Sequence, residues 1–348
     1  MTPSRIRNSP SAADEALARG RAHDVAGRIG EAVESYAAAI ELADDGKAPS
    51  VLAEALRRLA VLHHRRAEAE SAANLCHRSY ATAVSIGSEA LAAEALNTLA
   101  GFALEEGHIE EARARFRDAL ILAGNDVGLA GKIEQNLGIA ANMQGDWTVA
   151  LQHYRRAQEL YERAHDRYGA AIACHNLGMI HADQKCWPEA RRHFVAAGRL
   201  AAAVGDTHLG ALALLGQAQV HWAEQRYDAA RADAETALAT LSRLDARRDR
   251  ASAHRILGMI FRDTGRAALA TSHLQSALEI AAAAQCPLTE ADAARELAEL
   301  HRQQGRRSDA MVWLNRARTL YKRLDAIHEV VDVEDRALAL GPTPIFSE

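Results

Sequence analysis

The chain has 348 residues, of which only 5% are aromatic and 7 are proline, while alanine is frequent along its whole length. This length exceeds what one compact core usually serves, and the composition favours closely packed helices over sheets. The formal net charge is −5, from 41 basic and 46 acidic residues that are dispersed along the chain. Such a balance argues against the broad basic face that nucleic acids require.

No targeting or membrane-spanning segment is predicted. The first twelve residues, MTPSRIRNSPSA, are polar, and no window approaches the ~18 uninterrupted apolar residues of a membrane span. The four cysteines have no CxxC or zinc-finger spacing, as expected for reduced thiols. We therefore expect a soluble cytoplasmic protein, and the scarcity of lysine beside arginine suggests a GC-rich bacterial genome.

A repeat of about forty residues runs through the chain. A small residue, the anchor, recurs at Gly20, Ala60, Ala100, Gly138, Gly178, Ala218, Gly258 and Ala298. Twelve residues after each anchor lies an alanine: Ala32, Ala72, Ala112, Ala150, Ala190, Ala230, Ala270 and Ala310. This register predicts eight pairs of helices, in which small residues let two helices approach closely. Four positions after six of these alanines lie larger residues that are expected to fill the space between the pairs: Tyr36, Phe116, Tyr154, Phe194, Leu274 and Leu314. Glycines such as Gly27, Gly107 and Gly145 are expected in the turns.

In chain order, the register divides the molecule into a tail, eight repeats, a terminal helix and a second tail. Residues 1–12 are predicted to be flexible and residues 341–348 to form a C-terminal tail. The repeats are placed at 13–50, 51–90, 91–128, 129–168, 169–208, 209–248, 249–288 and 289–325. Residues 326–340 predict an amphipathic capping helix, whose Ile327, Val330, Val331 and Leu338 are expected to cover the open apolar face of the last repeat.

The register resembles that of the tetratricopeptide repeat (TPR) family over residues 13–325. The usual TPR period is about 34 residues. The longer period found here resembles the forty-residue variants of kinesin light chains, LGN-type adaptors and Rap-type bacterial regulators. The consensus tryptophan near the repeat start is absent. The resemblance implies an all-α fold, an α-solenoid wound as a right-handed superhelix, with a concave groove lined by the first helix of each pair.

The resemblance also implies which side chains face this groove. Mapped residue by residue, the polar and aromatic set in the middle repeats is Asn97, Gln135, Asn136, Asn142, His175, Asn176, Gln219 and Trp222. Asn136 and Asn176 match the TPR asparagine before Leu-Gly, which in the family often holds the backbone of a bound peptide. The flanking arginines are Arg57, Arg58, Arg65, Arg255, Arg262, Arg295 and Arg302. Because arginine suits carboxylates, the groove is predicted to bind an extended peptide or partner segment that carries acidic groups.

Two alternatives stay open for these side chains. The arginines could pair with carboxylates of the same surface, namely Glu54, Glu94, Asp263, Asp292 and Glu299. The asparagines could hydrogen-bond to adjacent repeats instead of to a ligand. Methionines near the same positions, such as Met143 and Met179, could likewise belong to the core between repeats.

No catalytic site, cofactor or metal is predicted. Histidines recur three residues after the anchor in five repeats, but equivalent positions lie ~10 Å or more apart, too far to share one metal ion. The HExxH, GxSxG, P-loop and dinucleotide motifs are missing. We expect a non-enzymatic adaptor or scaffold that binds a protein or peptide. The alternative is a signal receptor of the Rap or maltose-activator type, which would bind a small peptide or metabolite and regulate a separate effector protein.

Overall fold

The computed structural model describes residues 11–44, 46–324 and 326–341, and these residues form α-helices joined by short turns. The first eight helices are α1 Ala12–Val25, α2 Ile29–Ala43, α3 Pro49–Arg65, α4 Ala69–Ser85, α5 Glu89–Glu105, α6 Ile109–Ala123, α7 Val127–Met143 and α8 Trp147–Arg163. The next nine are α9 Arg167–Asp183, α10 Trp187–Val204, α11 Thr207–Ala223, α12 Tyr227–Arg243, α13 Arg247–Asp263, α14 Ala267–Ala283, α15 Pro287–Gln303, α16 Arg307–Arg323 and α17 Ile327–Ala339.

The chain divides after Gly169 into two compact units. Unit one holds α1 to α8 and the first residues of α9, and unit two holds the rest of α9 and α10 to α17. Within each unit, consecutive helices pack in pairs and each pair packs on the next. The prediction of an all-α helical-repeat fold is confirmed. Of the predicted tails, residues 1–10 and 342–348 lie outside the described residues, and no described helix is long and apolar enough to span a membrane.

The two helices of a pair approach so closely that the anchor position has almost no room for a side chain. A Cβ atom added to Gly138 would lie 2.6 Å from Cε1 of Tyr154, and one added to Gly258 would lie 2.5 Å from Cγ of Leu274. Phe194 lies against Gly178 in its own pair and also against Gly216 in the next pair. A large residue such as Phe194 therefore fills space inside its own pair as well as between pairs.

The alanines twelve residues after the anchors form the matching surface of the second helices. All eight, from Ala32 to Ala310, are fully buried. Because alanine adds little width, each second helix can lie against the first helix of its own pair without a gap.

The turns between helices require a left-handed backbone, and not every turn has a glycine for it. Gly27, Gly145 and Gly265 have φ angles of 71°, 74° and 74°. At the equivalent turn of the second pair, Ala67 adopts φ 61°, a conformation that costs a residue with a Cβ atom roughly 1 kcal/mol. The turn geometry is therefore dictated by the packing of the helices rather than by the residue in the turn.

The terminal helix α17 does not present the face that the sequence predicted. Val333 and Leu340 are buried on the core of unit two, and Val330 packs partly against it. Ile327, Val331 and Leu338 are 72%, 51% and 78% exposed, so the prediction that they cover the last repeat is wrong. Helix α17 has two apolar stripes. The stripe that packs on the core contains Val333 and Leu340, and it continues the register of the preceding first helices.

The helix register can be tested at Ala150, which is fully buried between α8 and its neighbours. We expect Ala150→Glu to lower the free energy of unfolding by more than about 3 kcal/mol, because the substitution overpacks the pair and buries an unpaired charge. Thr148→Glu, two residues away on the exposed side of α8, is the matched control and should change little. A thermal unfolding curve of Ala150→Glu that matches the wild type would contradict the register.

The left-handed turn gives a second test. Replacing Ala67 with glycine should raise the free energy of unfolding by about 0.5 kcal/mol, because relief of the unfavourable φ angle outweighs the added freedom of the unfolded chain. Ala81→Gly, on the exposed side of α4, should instead lower it by about 1 kcal/mol. Urea unfolding followed by circular dichroism measures both, and a loss of stability in Ala67→Gly is the contrary result.

Candidate functional site

Polar side chains on the first helices link one pair to the next in unit one, and most predicted groove residues of this unit belong to these links. Arg57 on α3 pairs with Glu94 on α5 at 2.5 Å. Asn136 on α7 donates through Nδ2 to Oδ1 of Asn97 on α5, at 3.0 Å. The alternative interpretation of Asn136, a hydrogen bond to an adjacent repeat, is therefore what the structure shows.

The other arginines of unit one also face carboxylates. Arg58 pairs with Glu54 at 2.6 Å, and Arg21 contacts the same carboxylate. Burial would raise the pKa of Glu54, but the hydrogen bonds and charges of these two arginines hold it below its usual value. Arg65 is more exposed and lies 3.4 Å from Asp24. Each predicted arginine of unit one thus already pairs with a carboxylate of the same chain.

The remaining predicted residues of unit one differ in their accessibility. Gln135 is half-buried and accepts a hydrogen bond from the hydroxyl of Tyr161 at 3.2 Å. Asn142 and Met143 are exposed near the end of α7. Asn142 and Arg65 are therefore the exposed members of the predicted set in this unit.

In unit two, Arg262 is the centre of a buried ion-pair network. Its guanidinium lies 2.7 Å from Asp263 and also contacts Glu296 on α15. Trp222 on α11 donates from Nε1 to Asp263 at 2.8 Å. Burial opposes the ionisation of Asp263, yet its hydrogen bonds and its charge pair with Arg262 lower its pKa below the usual value. These links join the first helices of three consecutive pairs.

Two further arginines of unit two are paired. Arg295 lies 3.3 Å from Asp292, and its guanidinium stands 5.9 Å from the ring centre of Tyr321. Arg302 forms two hydrogen bonds with Glu299, at 2.8 and 2.6 Å. With Arg57, Arg58 and Arg262, they form all five pairings that were the alternative to ligand binding. The predicted acidic-ligand surface is therefore largely neutralised by the chain itself.

Arg255 on α13 is different from the other predicted arginines. Within the described residues no carboxylate lies within 4.0 Å of it, and Nη1 lies 3.5 Å from the sulfur of Met259. Its Nε is buried without a hydrogen-bond partner. The unpaired guanidinium of Arg255 is therefore the predicted arginine best placed to receive an external anion.

Asp183, at the end of α9, is a neighbour that the sequence analysis did not select. Partial desolvation, together with the charges of Asp292 and Glu329, raises the pKa of Asp183 to about 6, although Arg255 opposes the shift. It lies five residues after its anchor, the same register position as Arg65 and Met143. Extending the groove positions consistently through all repeats would have identified it.

Three predicted polar residues, His175, Asn176 and Gln219, lie on α9 and α11 in unit two. Asn176 on α9 and Gln219 on α11 are half-buried. The ring of His175 packs against Phe194, with ring centres 5.6 Å apart, and its Nδ1 is buried without a partner. Burial lowers the pKa of His175 to about 4, so this ring is neutral at pH 7.

The part of the chain that the structure describes contains no cluster of metal-ligating side chains. No group of three or more His, Cys, Asp or Glu side chains there could hold a metal ion. The histidines that recur three residues after the anchor have local partners, such as Asp233 for His221 at 2.9 Å. All four cysteines are reduced thiols, and burial raises the pKa of Cys76 to about 12.

The neutral His175 predicts a pH dependence of stability. The pKa of His175 is about 4 in the folded chain, below its ordinary value of 6.5. Between these two pH values the imidazole is protonated in the unfolded chain but not in the folded chain. The stabilising contribution is therefore complete above pH 7 and declines as the pH falls towards 4. Between pH 7 and pH 5 we expect a loss of about 2 kcal/mol that His175→Gln does not show. Urea titrations at both pH values compare the two proteins, and equal losses would contradict the assignment.

Comparisons with known proteins agree with this fold. A sequence model described as tetratricopeptide repeat matches residues 129–194, whereas a search of curated proteins finds no match. A Rap protein in complex with competence and sporulation factor superposes with a TM-score of 0.63 at 11% identity, covering 94% of this chain and 97% of that chain. The apo form of RapI gives 0.59 at 15% identity, over 78% of this chain and 97% of that one.

A third solved structure, aspartyl phosphate phosphatase F from Bacillus subtilis, gives a TM-score of 0.55 at 12% identity and covers 99% of this chain and 100% of its own. At these identities the likenesses show the fold alone. Residues 129–194 match the tetratricopeptide repeat, and the forty-residue register, with glycine or alanine at every anchor, continues the same paired-helix fold along the rest of the described chain.

Proposed function

We propose that this chain is a non-enzymatic interaction scaffold, and that it binds a segment of a partner protein on the first helices of unit two. Helical repeats of this kind offer a pre-formed surface, which lowers the cost of ordering a bound segment. Asn176, Gln219 and Arg255 lie on the first helices of three consecutive pairs. In this proposal the two amides hold the backbone of the segment and Arg255 receives one of its carboxylates.

The observation that carries the proposal is the unpaired guanidinium of Arg255. A half-buried arginine without a carboxylate within 4.0 Å among the described residues, and with a buried Nε that lacks a partner, is costly unless a ligand completes its hydrogen bonds. The other arginines of the predicted set have internal acidic partners. The proposed ligand therefore needs one carboxylate at this point rather than a strongly acidic sequence.

Asp183 places a second requirement on the ligand. This carboxyl lies near Arg255 and has a pKa of about 6, so a ligand that brings a positive charge beside its carboxylate would favour the ionised form. A segment with adjacent acidic and basic groups, or a peptide end, meets both conditions. The proposal thus replaces the broad acidic preference with a local pair of opposite charges.

A signal receptor is the second candidate function. It is favoured by the likeness to a Rap protein that was solved with competence and sporulation factor, over 94% of this chain. In this case a small signalling ligand would occupy the surface around Arg255 and a separate protein would carry the output. The likeness to a protein named a phosphatase rests on 12% identity and gives no ground for a catalytic step.

The proposal is tested by affinity capture from lysate of the source organism, with bound proteins identified by mass spectrometry. Wild type is compared with Arg255→Met, which removes the guanidinium and keeps much of the side-chain volume. Arg302→Met is the matched control, because its guanidinium is already paired with Glu299 and half-exposed. Circular dichroism melting confirms that all three proteins are folded.

A protein captured by wild type and Arg302→Met but lost from Arg255→Met is the expected result. Identical captured proteins from all three would exclude this surface as the binding site. Capture of nothing by wild type would favour the receptor, which isothermal titration with extracted small peptides and metabolites would then examine.

A further inference from the structure

The second helix of each pair has one position, fifteen residues after the anchor, where the chain places side chains of very different chemistry. In the fourth to seventh pairs this position holds a group that exchanges a proton in the acid to neutral range: His153, His193, Asp233 and His273. Each of these lies against a second such group on the first helix of its own pair, in the same order Glu134, His181, His221 and His254. The four couples therefore occupy one place in the register and can be compared directly.

The couples of the fourth pair (α7 and α8) and the sixth pair (α11 and α12) join a histidine to a carboxylate. Nδ1 of His153 lies 2.6 Å from Oε2 of Glu134, and Nδ1 of His221 lies 2.9 Å from Oδ2 of Asp233. A proton that enters such a couple is attracted by the carboxylate, so mild acid does not break the contact. Burial also raises the pKa of Asp233, although His221 opposes the shift, so this carboxyl accepts a proton more readily than an exposed one.

The couple of the seventh pair consists of two histidines. Nδ1 of His254 on α13 lies 3.1 Å from Nδ1 of His273 on α14, and their ring centres are 5.1 Å apart. A hydrogen bond between two imidazole nitrogens needs one N–H and one lone pair, so one Nδ1 donates and the other accepts while both rings are neutral. A first proton can enter at Nε2 of the donating ring and leave this bond intact. A second proton must enter at the accepting Nδ1, where it removes the lone pair and breaks the bond.

The surroundings of this couple oppose its protonation. Both rings are half-buried, and the ring of Phe261 packs on His273 with ring centres 5.3 Å apart. Burial, the ring of His273 and the charge of Arg250 lower the pKa of His254 to about 4. Burial also lowers the pKa of His273, although Glu235 on α12 opposes that shift. Because Glu235 is exposed, water screens its charge and it compensates little.

We propose that the contact between His254 and His273 is a proton-sensitive lock between α13 and α14, which opens more often as the pH falls from 7 towards 5. The open form takes up protons that the closed contact excludes, so acid loosens the seventh pair. The sixth pair, joined at the same position by a histidine and a carboxylate, lacks this response. Helix α13 also carries Arg255, so the lock acts on the helix that holds it. The lock concerns the two helices alone and does not depend on whether Arg255 binds a ligand.

The test is hydrogen exchange of the full chain at pH 7 and pH 5, read by mass spectrometry and corrected for the intrinsic effect of pH on exchange. The opening equilibrium constant of segments in α13 and α14 should rise by about tenfold or more at pH 5. A pKa of about 4 in the closed form, in place of 6.5 in the open form, corresponds to roughly twentyfold for His254 alone.

Two variants separate the lock from other acid-sensitive groups. The double variant His254→Gln, His273→Gln removes both titrating rings, so its α13 and α14 segments should change by less than about threefold between the two pH values. The matched control His221→Gln alters the couple at the same position of the sixth pair and should keep the full rise in α13 and α14. His175 is present in all three proteins and contributes equally. Melting curves at pH 7 check that each variant is folded.

Long-range 1H–15N spectra of the wild type test the lock without any substitution. At pH 7 one of the two rings should carry its proton on Nδ1, because the bond to the other ring fixes that tautomer, and His254 should still be neutral at pH 6. The proposal is overturned if both rings carry their proton on Nε2, or if His254 titrates near pH 6.5. It is equally overturned by opening constants of α13 and α14 that are the same at both pH values, or that rise alike in wild type and the double variant.

Discussion

The close approach of two helices at the anchor is the contact on which the rest of the structure depends. At Gly138 and Gly258 a single added carbon atom would lie within 2.6 Å of the opposite side chain. Such a spacing fixes where the second helix lies, and therefore which side chains of the first helix remain available for the next pair. The left-handed turns follow from the same spacing, since even Ala67 adopts a positive φ angle to keep the two helices in contact.

Once the pairs are fixed, polar side chains on their first helices meet across the boundary between neighbouring pairs. Asn97 with Asn136 in unit one, and Trp222 with Asp263 in unit two, are such contacts. Because these groups are held by one another, their orientation is set before any ligand arrives, which favours binding by a rigid surface. It also reduces the number of groups that are still free to bind, and Arg255 stands out for that reason.

The fold was predictable because the anchor and the alanine twelve residues later recur in every repeat, and few architectures other than paired helices need small residues at that period. The binding surface was harder to predict from the sequence. The register places Arg57 and Arg262 on the correct face, but it cannot say whether a ligand or a neighbouring carboxylate neutralises them. Their acidic partners were identified from the sequence, yet only as one of two alternatives. The deciding quantity is the distance between side chains of adjacent pairs, which depends on how the pairs stack.

The error at α17 has a different origin. Helical periodicity shows that Val331 and Leu338 share a stripe, and an apolar stripe at the end of an array is naturally read as the one facing inward. Val331 and Leu338 lie forty residues after Ala291 and Ala298, the two small residues against which a second helix packs. That comparison would have shown that this stripe faces away from the preceding repeat. The information was present in the register, but it concerns the size of the residues rather than their polarity.

The large residues at these two positions also bear on how such an array can grow. Repeat proteins lengthen by duplication of whole units, and a new unit is accepted only where its helices fit those already present. A second helix with a large residue opposite the anchor, such as Tyr154 or Leu274, could not approach α17 at the usual distance, because Leu338 stands where the others have glycine or alanine. A helix that packs on α17 at the usual distance would therefore have to carry small residues opposite Val331 and Leu338.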